Sequence, residues 1–186
     1  MTKLSPLRVQ LLLFLLLACL GALLPIGAAS ANGGSDDDDK TKAVPDCPRG
    51  EVRDSASQRC LEQTSRRLPD ADRSAYAYRL AKAGRYEEAL ALLDTMRQPN
   101  TAEALNYRGY ATRKLGRVDE GIGYYLQSVR LDPKYPKVRE YLGEAYVQQG
   151  RLDLAREQLH SIQGLCGKGC EEYRDLAGAI AQSERL

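Results

Sequence analysis

AEALNYRGYATRKLGRVDEGIGYYLQSVRLDPKY, residues 102–135, is the segment from which the architecture of the chain is most directly deduced. Its apolar residues recur at helical spacing on both sides of Gly116, and Pro133 follows the second run. This pattern predicts two amphipathic helices joined by a turn at Gly116 and closed before Pro133. A small residue, Gly109, and a large one, Tyr125, would let the two helices approach closely. The segment therefore predicts a tightly packed helical hairpin.

Two more segments of the same layout flank this hairpin. The turn glycines Gly84, Gly116 and Gly150 lie 32 and 34 residues apart, and an arginine follows each of them. A helical hairpin that recurs about every 34 residues is typical of the tetratricopeptide repeat. The central segment resembles that family at Leu105, Gly109, Gly116, Tyr125 and Pro133. The resemblance covers residues 70–186 and implies an all-α fold, an α-solenoid whose units bury their apolar faces against one another.

We predict three repeats and a capping helix, with a small disulfide-closed loop in front of them. The repeats are expected at residues 70–101, 102–135 and 136–169, and the capping helix at residues 170–186. The six repeat helices are predicted at about 71–83, 86–97, 102–115, 118–131, 136–149 and 152–163. Gly164 should end the sixth helix, and residues 61–68 are compatible with a short additional helix.

Residues 1–31 have the layout of a secretory signal peptide. Lys3 and Arg8 precede an apolar run at residues 11–26, and small residues around Ala31 suit cleavage after that position. We therefore expect a periplasmic or secreted protein that has no stable membrane insertion once the signal is removed.

Two alternatives for this N-terminus stay open. The apolar run is long enough for an uncleaved membrane anchor, and Cys19 follows a sequence that resembles a bacterial lipoprotein attachment site.

Residues 32–45 come next and contain four consecutive aspartates. Like charges extend a chain and leave it no apolar face to bury, so we predict a disordered acidic linker there.

The charge balance argues against a polyanion as the main partner. The whole chain has 27 Lys and Arg against 25 Asp and Glu. Removal of residues 1–31 takes away Lys3 and Arg8 and no acid, which leaves 25 of each sign. A balanced chain lacks the broad positive field that gathers nucleic acid or anionic membranes. We therefore predict a protein or peptide partner and no nucleic acid.

Four cysteines remain after the predicted signal peptide: Cys47, Cys60, Cys166 and Cys170. An even number in a small exported protein usually indicates disulfides, and four cysteines allow three connectivities. Short loops close most readily, which favours Cys47 with Cys60 and Cys166 with Cys170. The first pair would close a hairpin-like flap at residues 46–69, and the second would clip the capping helix to the third repeat.

The sequence contains no recognisable catalytic constellation. It has one histidine, His160, and no phosphate-binding loop, dinucleotide fingerprint or paired zinc-ligand motif. We therefore predict no enzyme activity, no cofactor and no metal. One alternative stays open at Cys166 and Cys170, where flexible glycines and a predicted helix start would suit thiol–disulfide exchange or capture of a soft metal.

The resemblance to the tetratricopeptide family also implies a concave groove lined by the first helix of each repeat. The partner-binding residues that it implies here are Tyr78, Lys82, Asn106, Tyr110, Arg113, Lys114, Glu140 and Glu144. Tyrosine with arginine, lysine and asparagine makes a surface suited to peptides. We predict an exported scaffold or adaptor that binds an envelope protein in this groove, with self-assembly of the repeats as a further alternative.

Overall fold

The computed structural model of the chain describes residues 47–185. The predicted signal peptide, the predicted acidic linker and the C-terminal residue Leu186 lie outside these residues. Within residues 47–185, no helix combines the length and the apolar character needed to cross a bilayer.

The described chain consists of a two-stranded hairpin followed by seven α-helices. The strands are β1 (Glu51–Arg53) and β2 (Cys60–Glu62), which pair antiparallel with Val52 opposite Leu61. The helices are α1 (Asp70–Lys82), α2 (Tyr86–Asp94), α3 (Ala102–Lys114), α4 (Val118–Leu131), α5 (Pro136–Gln148), α6 (Leu152–Cys166) and α7 (Glu171–Ser183). The predicted all-α solenoid with a disulfide-closed loop in front of it is confirmed.

The turns between paired helices follow the glycines singled out in the sequence. Gly84, Gly116 and Gly150 have φ angles of 78°, 85° and 71°, in the left-handed region that favours glycine. The α3 helix begins at a threonine cap, because Thr101 Oγ1 accepts a hydrogen bond from Ala104 N at 3.1 Å. Helix α5 has Pro136 at its first position, where no backbone donor is needed.

Small residues set the distance between paired helices. Gly109 of α3 lies against the fully buried ring of Tyr125 on α4, so that a methyl group at Gly109 would sit 2.6 Å from Tyr125 Cε1. Gly143 of α5 has the same relation to α7, since a methyl group there would overlap the side chain of Leu176. The predicted pairing of Gly109 with Tyr125 is thus present as a close contact.

The flap at the N-terminal end is closed by a disulfide and joined to α1 by hydrogen bonds. A disulfide connects Cys47 to Cys60 with their Cα atoms 5.7 Å apart, and Cys47 N donates to Tyr76 Oη at 3.0 Å. The buried guanidinium of Arg73 donates to the carbonyl oxygens of three residues that follow β2. These are Gln63, Ser65 and Leu68. Three carbonyls shared by one guanidinium hold this segment as turns.

Three details of the predicted secondary structure are wrong. Residues 61–68 do not form a helix, because Leu61 pairs with β1 and the following carbonyls bind Arg73. Helix α2 ends at Asp94 rather than near residue 97, because the carboxylate of Asp70 accepts from Arg97 N and Gln98 N. Helix α6 continues through Gly164, which has open space around its Cα.

The chain turns three residues beyond Gly164. Gly167 has a φ angle of 78° and follows the last helical residue, Cys166. Helix α7 then packs against α5 and α6 with Leu176 and Ile180 buried. Lys137 Nζ of α5 lies 3.1 Å from Glu171 Oε1, which adds an ion pair at the start of α7. The final helix therefore covers the apolar side of the third repeat, the role expected of a cap.

Candidate functional site

Helices α1, α3 and α5, the first helices of the three repeats, carry a continuous row of tyrosines. The rings of Tyr78 and Tyr107 stack with their centroids 4.6 Å apart, and those of Tyr110 and Tyr141 lie 5.0 Å apart. The hydroxyl oxygens of Tyr78 and Tyr141 are 3.3 Å apart, although 63 residues separate them in the chain. We call these four residues the tyrosine ladder. It links the first repeat directly to the third.

Two lysine side chains lie beside Tyr110, one member of the ladder. Lys82 Nζ of α1 and Lys114 Nζ of α3 lie 5.6 and 5.5 Å from the ring centroid of Tyr110. An ammonium within about 6 Å of an aromatic centroid is attracted by the ring quadrupole. Both lysines are half-buried, so their stems pack on the protein while part of each side chain meets solvent. The ladder thus has a cationic border on the side of α1 and α3.

Arg113 is a structural cation. Only 7% of its surface is exposed, its Nη2 donates to Glu144 Oε2 at 2.7 Å, and its Nε donates to Tyr125 Oη at 3.3 Å. Burial alone would lower the pKa of Arg113, but Tyr125 and Glu144 more than offset this and raise it. The residue therefore stays charged and holds α3, α4 and α5 together.

Asn106 is fully buried, and within residues 47–185 only one of its two side-chain polar atoms has a hydrogen-bond partner. Its Nδ2 donates to Tyr135 Oη at 3.1 Å, whereas Oδ1 has no hydrogen-bond donor within the described residues. Exchange of the two amide atoms would move the unsatisfied position to nitrogen without removing it. A buried polar atom left without a partner costs free energy, and such atoms are uncommon in folded proteins.

Glu140 is a buried acid at the contact between α5 and α7. Its Oε2 lies 3.0 Å from Lys137 Nζ, at ion-pair distance although outside hydrogen-bond geometry. Burial raises the pKa of Glu140 to about 8, an effect that Lys137 reduces and the negative charges of Glu144 and Asp175 increase. The carboxyl group is therefore mostly protonated at pH 7.

The structure divides the eight predicted groove residues into two sets. Half-buried positions with solvent contact are Tyr78, Lys82, Lys114 and Glu144. Buried positions with internal partners are Asn106, Tyr110, Arg113 and Glu140. The second set holds the repeats together, a role that the sequence did not indicate. The assignment of the eight as partner-binding residues stays a prediction.

Sequence reasoning missed two members of the tyrosine ladder. Tyr107 and Tyr141 are 34 residues apart and occupy the same position in consecutive repeats. This coincidence with the repeat period could have identified them as facing the same surface. The preceding residues, Asn106 and Glu140, were chosen in their place. Both are buried, and so is Tyr141, whereas Tyr107 is only half-buried.

A second cluster of reactive side chains lies where α6 meets α7. A disulfide joins Cys166 to Cys170, whose Cα atoms are 5.9 Å apart. The two Sγ atoms and a carboxylate oxygen of Glu172 lie within 4.8 Å of one another. Among residues 47–185 this is the one group of three His, Cys, Asp or Glu residues placed to hold a metal ion. His160 is exposed on α6 and does not belong to it.

Known proteins were compared with the chain by sequence and by structure. A family model for the tetratricopeptide repeat matches residues 77–136 and 114–164. The TPR repeat-containing thioredoxin TTL4 of Arabidopsis thaliana is 34% identical over 88 residues. That match covers 46% of this chain and 13% of the Arabidopsis protein, so the chain spans a small part of that relative.

Two solved structures share the fold. The Yersinia enterocolitica type III secretion chaperone SycD, in complex with a peptide of the translocator YopD, has a TM-score of 0.52 and 19% identity. The alignment covers 65% of this chain and 95% of SycD. The second TPR domain of human RPAP3, in complex with an HSP70 peptide, has a TM-score of 0.51 and 19% identity. There the alignment covers 61% of this chain and 93% of the RPAP3 domain.

The sequence match and the fold agree in their position along the chain. The family model runs from residue 77, within α1, to residue 164, within α6, and so spans the paired helices that the turn glycines join. The chain is therefore a tetratricopeptide repeat protein.

Proposed function

We propose that the protein is an exported scaffold or adaptor that binds a protein or peptide segment along the first helices of its repeats. The observation that carries this proposal is the tyrosine ladder, which runs across all three repeats and is bordered by Lys82 and Lys114. Tyr78 and Tyr107 are half-buried and offer contact area at little cost in rotamer freedom, whereas Tyr110 and Tyr141 are buried and support them. Its mechanism would be binding and positioning, with no bond made or broken.

The structural relatives support a peptide-binding role. The SycD and RPAP3 structures each contain a bound peptide, one from the translocator YopD and the other from HSP70. At 19% identity they share the fold with this chain, and a shared fold by itself does not fix a partner. The support comes from the combination of that fold with a tyrosine ladder on the first helices of the repeats.

The proposed setting is the periplasm or the outside of the cell. Its basis is the signal-like N-terminus of residues 1–31 together with two disulfides, Cys47–Cys60 and Cys166–Cys170. Disulfides persist in oxidising compartments and are rare in the cytosol.

The cationic border also indicates the charge of the partner. Charged residues at the rim of an interface steer the encounter of two proteins, so a partner segment with negative charge would suit Lys82 and Lys114.

The proposal can be tested by reversing the cationic border. Lys82→Glu combined with Lys114→Glu should weaken capture of a partner from envelope extract at least tenfold, which corresponds to about 1.4 kcal/mol. The matched control is Arg130→Glu combined with Lys134→Glu, which makes the same change of charge at two positions at the end of α4 and just beyond it. Equal loss of capture in both double variants would contradict a site on the first helices.

A further inference from the structure

The junction between α6 and α7 brings together two sulfurs and a carboxylate. Cys166 is the last residue of α6, Cys170 is the N-cap of α7, and Glu172 belongs to the first turn of α7. We infer that reduction of the Cys166–Cys170 disulfide turns this dithiol–carboxylate cluster into a binding site for a thiophilic divalent cation, of which Zn²⁺ is the type. This inference is independent of the proposed partner-binding surface.

The distances suit such an ion. Zinc binds thiolate sulfur at about 2.3 Å and carboxylate oxygen at about 2.0–2.2 Å in a tetrahedral arrangement. Ligand atoms in that shell therefore lie within about 4 Å of each other. The three atoms of the cluster already lie within 4.8 Å of one another, with a covalent bond between the sulfurs. Small rotations of the side chains would complete the shell.

The charges of the dithiol–carboxylate cluster also suit a divalent cation. Two thiolates and the carboxylate of Glu172 carry three negative charges against the two positive charges of the cation. Glu172 is only weakly engaged by a cation, because its carboxylate is 3.9 Å from Lys137 Nζ, whereas Glu171 approaches the same lysine to 3.1 Å. Cys170 is the N-cap of α7, at the positive end of the helix dipole.

The site is open on one side. Cys166 is exposed, and Gly167 and Gly169 in the connecting loop have open space around them. Three protein ligands leave the fourth position of a tetrahedral ion to water or to a ligand from solution. The cluster is thus suited to an exchangeable ion.

The chemistry balances if a dithiol acts as the reductant. It gives two electrons and two protons to the Cys166–Cys170 disulfide and becomes a disulfide itself. Binding of the cation then displaces the two thiol protons into solvent. Reoxidation by a disulfide, the reverse of that exchange, passes two electrons to the oxidant, which takes up two protons from solvent and becomes a dithiol; it re-forms the Cys166–Cys170 bond and removes both thiolates from the ion. Disulfide and metal are therefore alternative states of one junction, and oxidation releases the metal.

Cobalt(II) titration of the reduced full chain tests the inference, because thiolate-bound cobalt has a charge-transfer absorption. The reduced protein should show this band with one equivalent bound at the cluster, and the oxidised protein should not show it. Cys166→Ser combined with Cys170→Ser should lose this equivalent. That variant keeps Cys19, Cys47 and Cys60, so any signal that it retains belongs to those residues.

The role of the carboxylate needs its own comparison. Glu172→Gln should weaken Zn²⁺ binding at least tenfold in a chelator competition, about 1.4 kcal/mol. Glu171→Gln, the matched change at the neighbouring and more exposed residue, should change it by less than about twofold. Circular dichroism should show the same helix content in all variants. Equal affinity of the parent and Glu172→Gln would overturn the inference, as would equal cobalt signals in the parent and the double serine variant.

Discussion

Two buried charged residues, Arg113 and Glu140, lie on helices that carry the tyrosine ladder. Arg113 is neutralised by Glu144 and also bonded to Tyr125, and both contacts are direct hydrogen bonds. Glu140 has Lys137 beside it, but Glu144 and Asp175 add negative charge to the same surroundings. The arginine is therefore held in its charged form, whereas the glutamate resists ionisation.

Glu140 should make stability depend on pH. Its pKa of about 8 in the fold exceeds the value of 4.5 for an ordinary glutamate, so the native state binds more protons than the unfolded state between these limits. The free energy of unfolding should then fall as pH rises through this window, by up to about 1.4 kcal/mol per pH unit. Glu140→Gln should flatten this dependence and be more stable than the parent near pH 9.

Urea denaturation followed by the helical signal, at about pH 5, 7 and 9, measures this effect. The same replacement at Glu87, outside this cluster on α2, serves as the control and should keep the pH dependence of the parent. Parallel curves for the parent and Glu140→Gln would mean that Glu140 is ionised throughout and that Lys137 fully offsets its burial.

Close contact between paired helices depends on glycine at selected positions. A methyl group added to Gly109 would meet the Tyr125 ring on one side and lie 3.1 Å from the carbonyl oxygen of Gly121. Gly123 lies two residues beyond Gly121 on α4, and a methyl group added to it would sit in open space. Gly109 and Gly123 both lie within α-helices, but only Gly109 is packed against a neighbouring helix.

This contrast gives a matched pair of substitutions. Gly109→Ala should destabilise the protein by about 1–3 kcal/mol, because the Tyr125 ring would have to move in a packed interior. Gly123→Ala should stabilise it by roughly 0.5–1 kcal/mol, because alanine loses less backbone entropy in a helix. Chemical denaturation of both variants measures the difference. Changes of the same sign would show that the α3–α4 contact is looser than described.

The repeat period was sufficient to predict the helical elements, because turn glycines and apolar spacing act locally. It failed where contacts between distant residues decide the outcome. Asp70 ends α2 by accepting from Arg97 and Gln98, and Arg73 holds the segment after β2 as turns. Neither set of hydrogen bonds can be recognised from the residues that surround it in the sequence. Helix α6 passes Gly164 because a single glycine lowers helix stability by only about 1 kcal/mol.

The candidate surface was less predictable than the fold for the same reason. The family pattern indicates which helices line it, but burial of a side chain depends on neighbours that are distant in the sequence. Asn106 meets Tyr135, and Arg113 meets Glu144, across sequence separations of 29 and 31 residues. Tyr107 was recognisable only by its 34-residue offset from Tyr141.

The three repeats act together as one support for the tyrosine ladder. The contact between Tyr78 and Tyr141 connects the outer repeats, and α7 covers the apolar side of the last one. Each repeat contacts its neighbours, so a change in one repeat alters the position of the next. A partner that lies along the half-buried residues Tyr78, Lys114 and Glu144 would contact all three repeats at once, which a single repeat could not offer.

Site-specific photocrosslinking in intact cells is the most direct test of binding along the first helices of the repeats. One photoreactive residue would replace Lys82, at the border of the ladder, and another would replace the exposed Gln127 on α4 as the control. We predict one reproducible partner protein crosslinked from position 82, absent from position 127, and reduced when Lys114→Glu is added. Capture of the same partner with equal yield from both positions, or from position 127 alone, would contradict binding along the first helices.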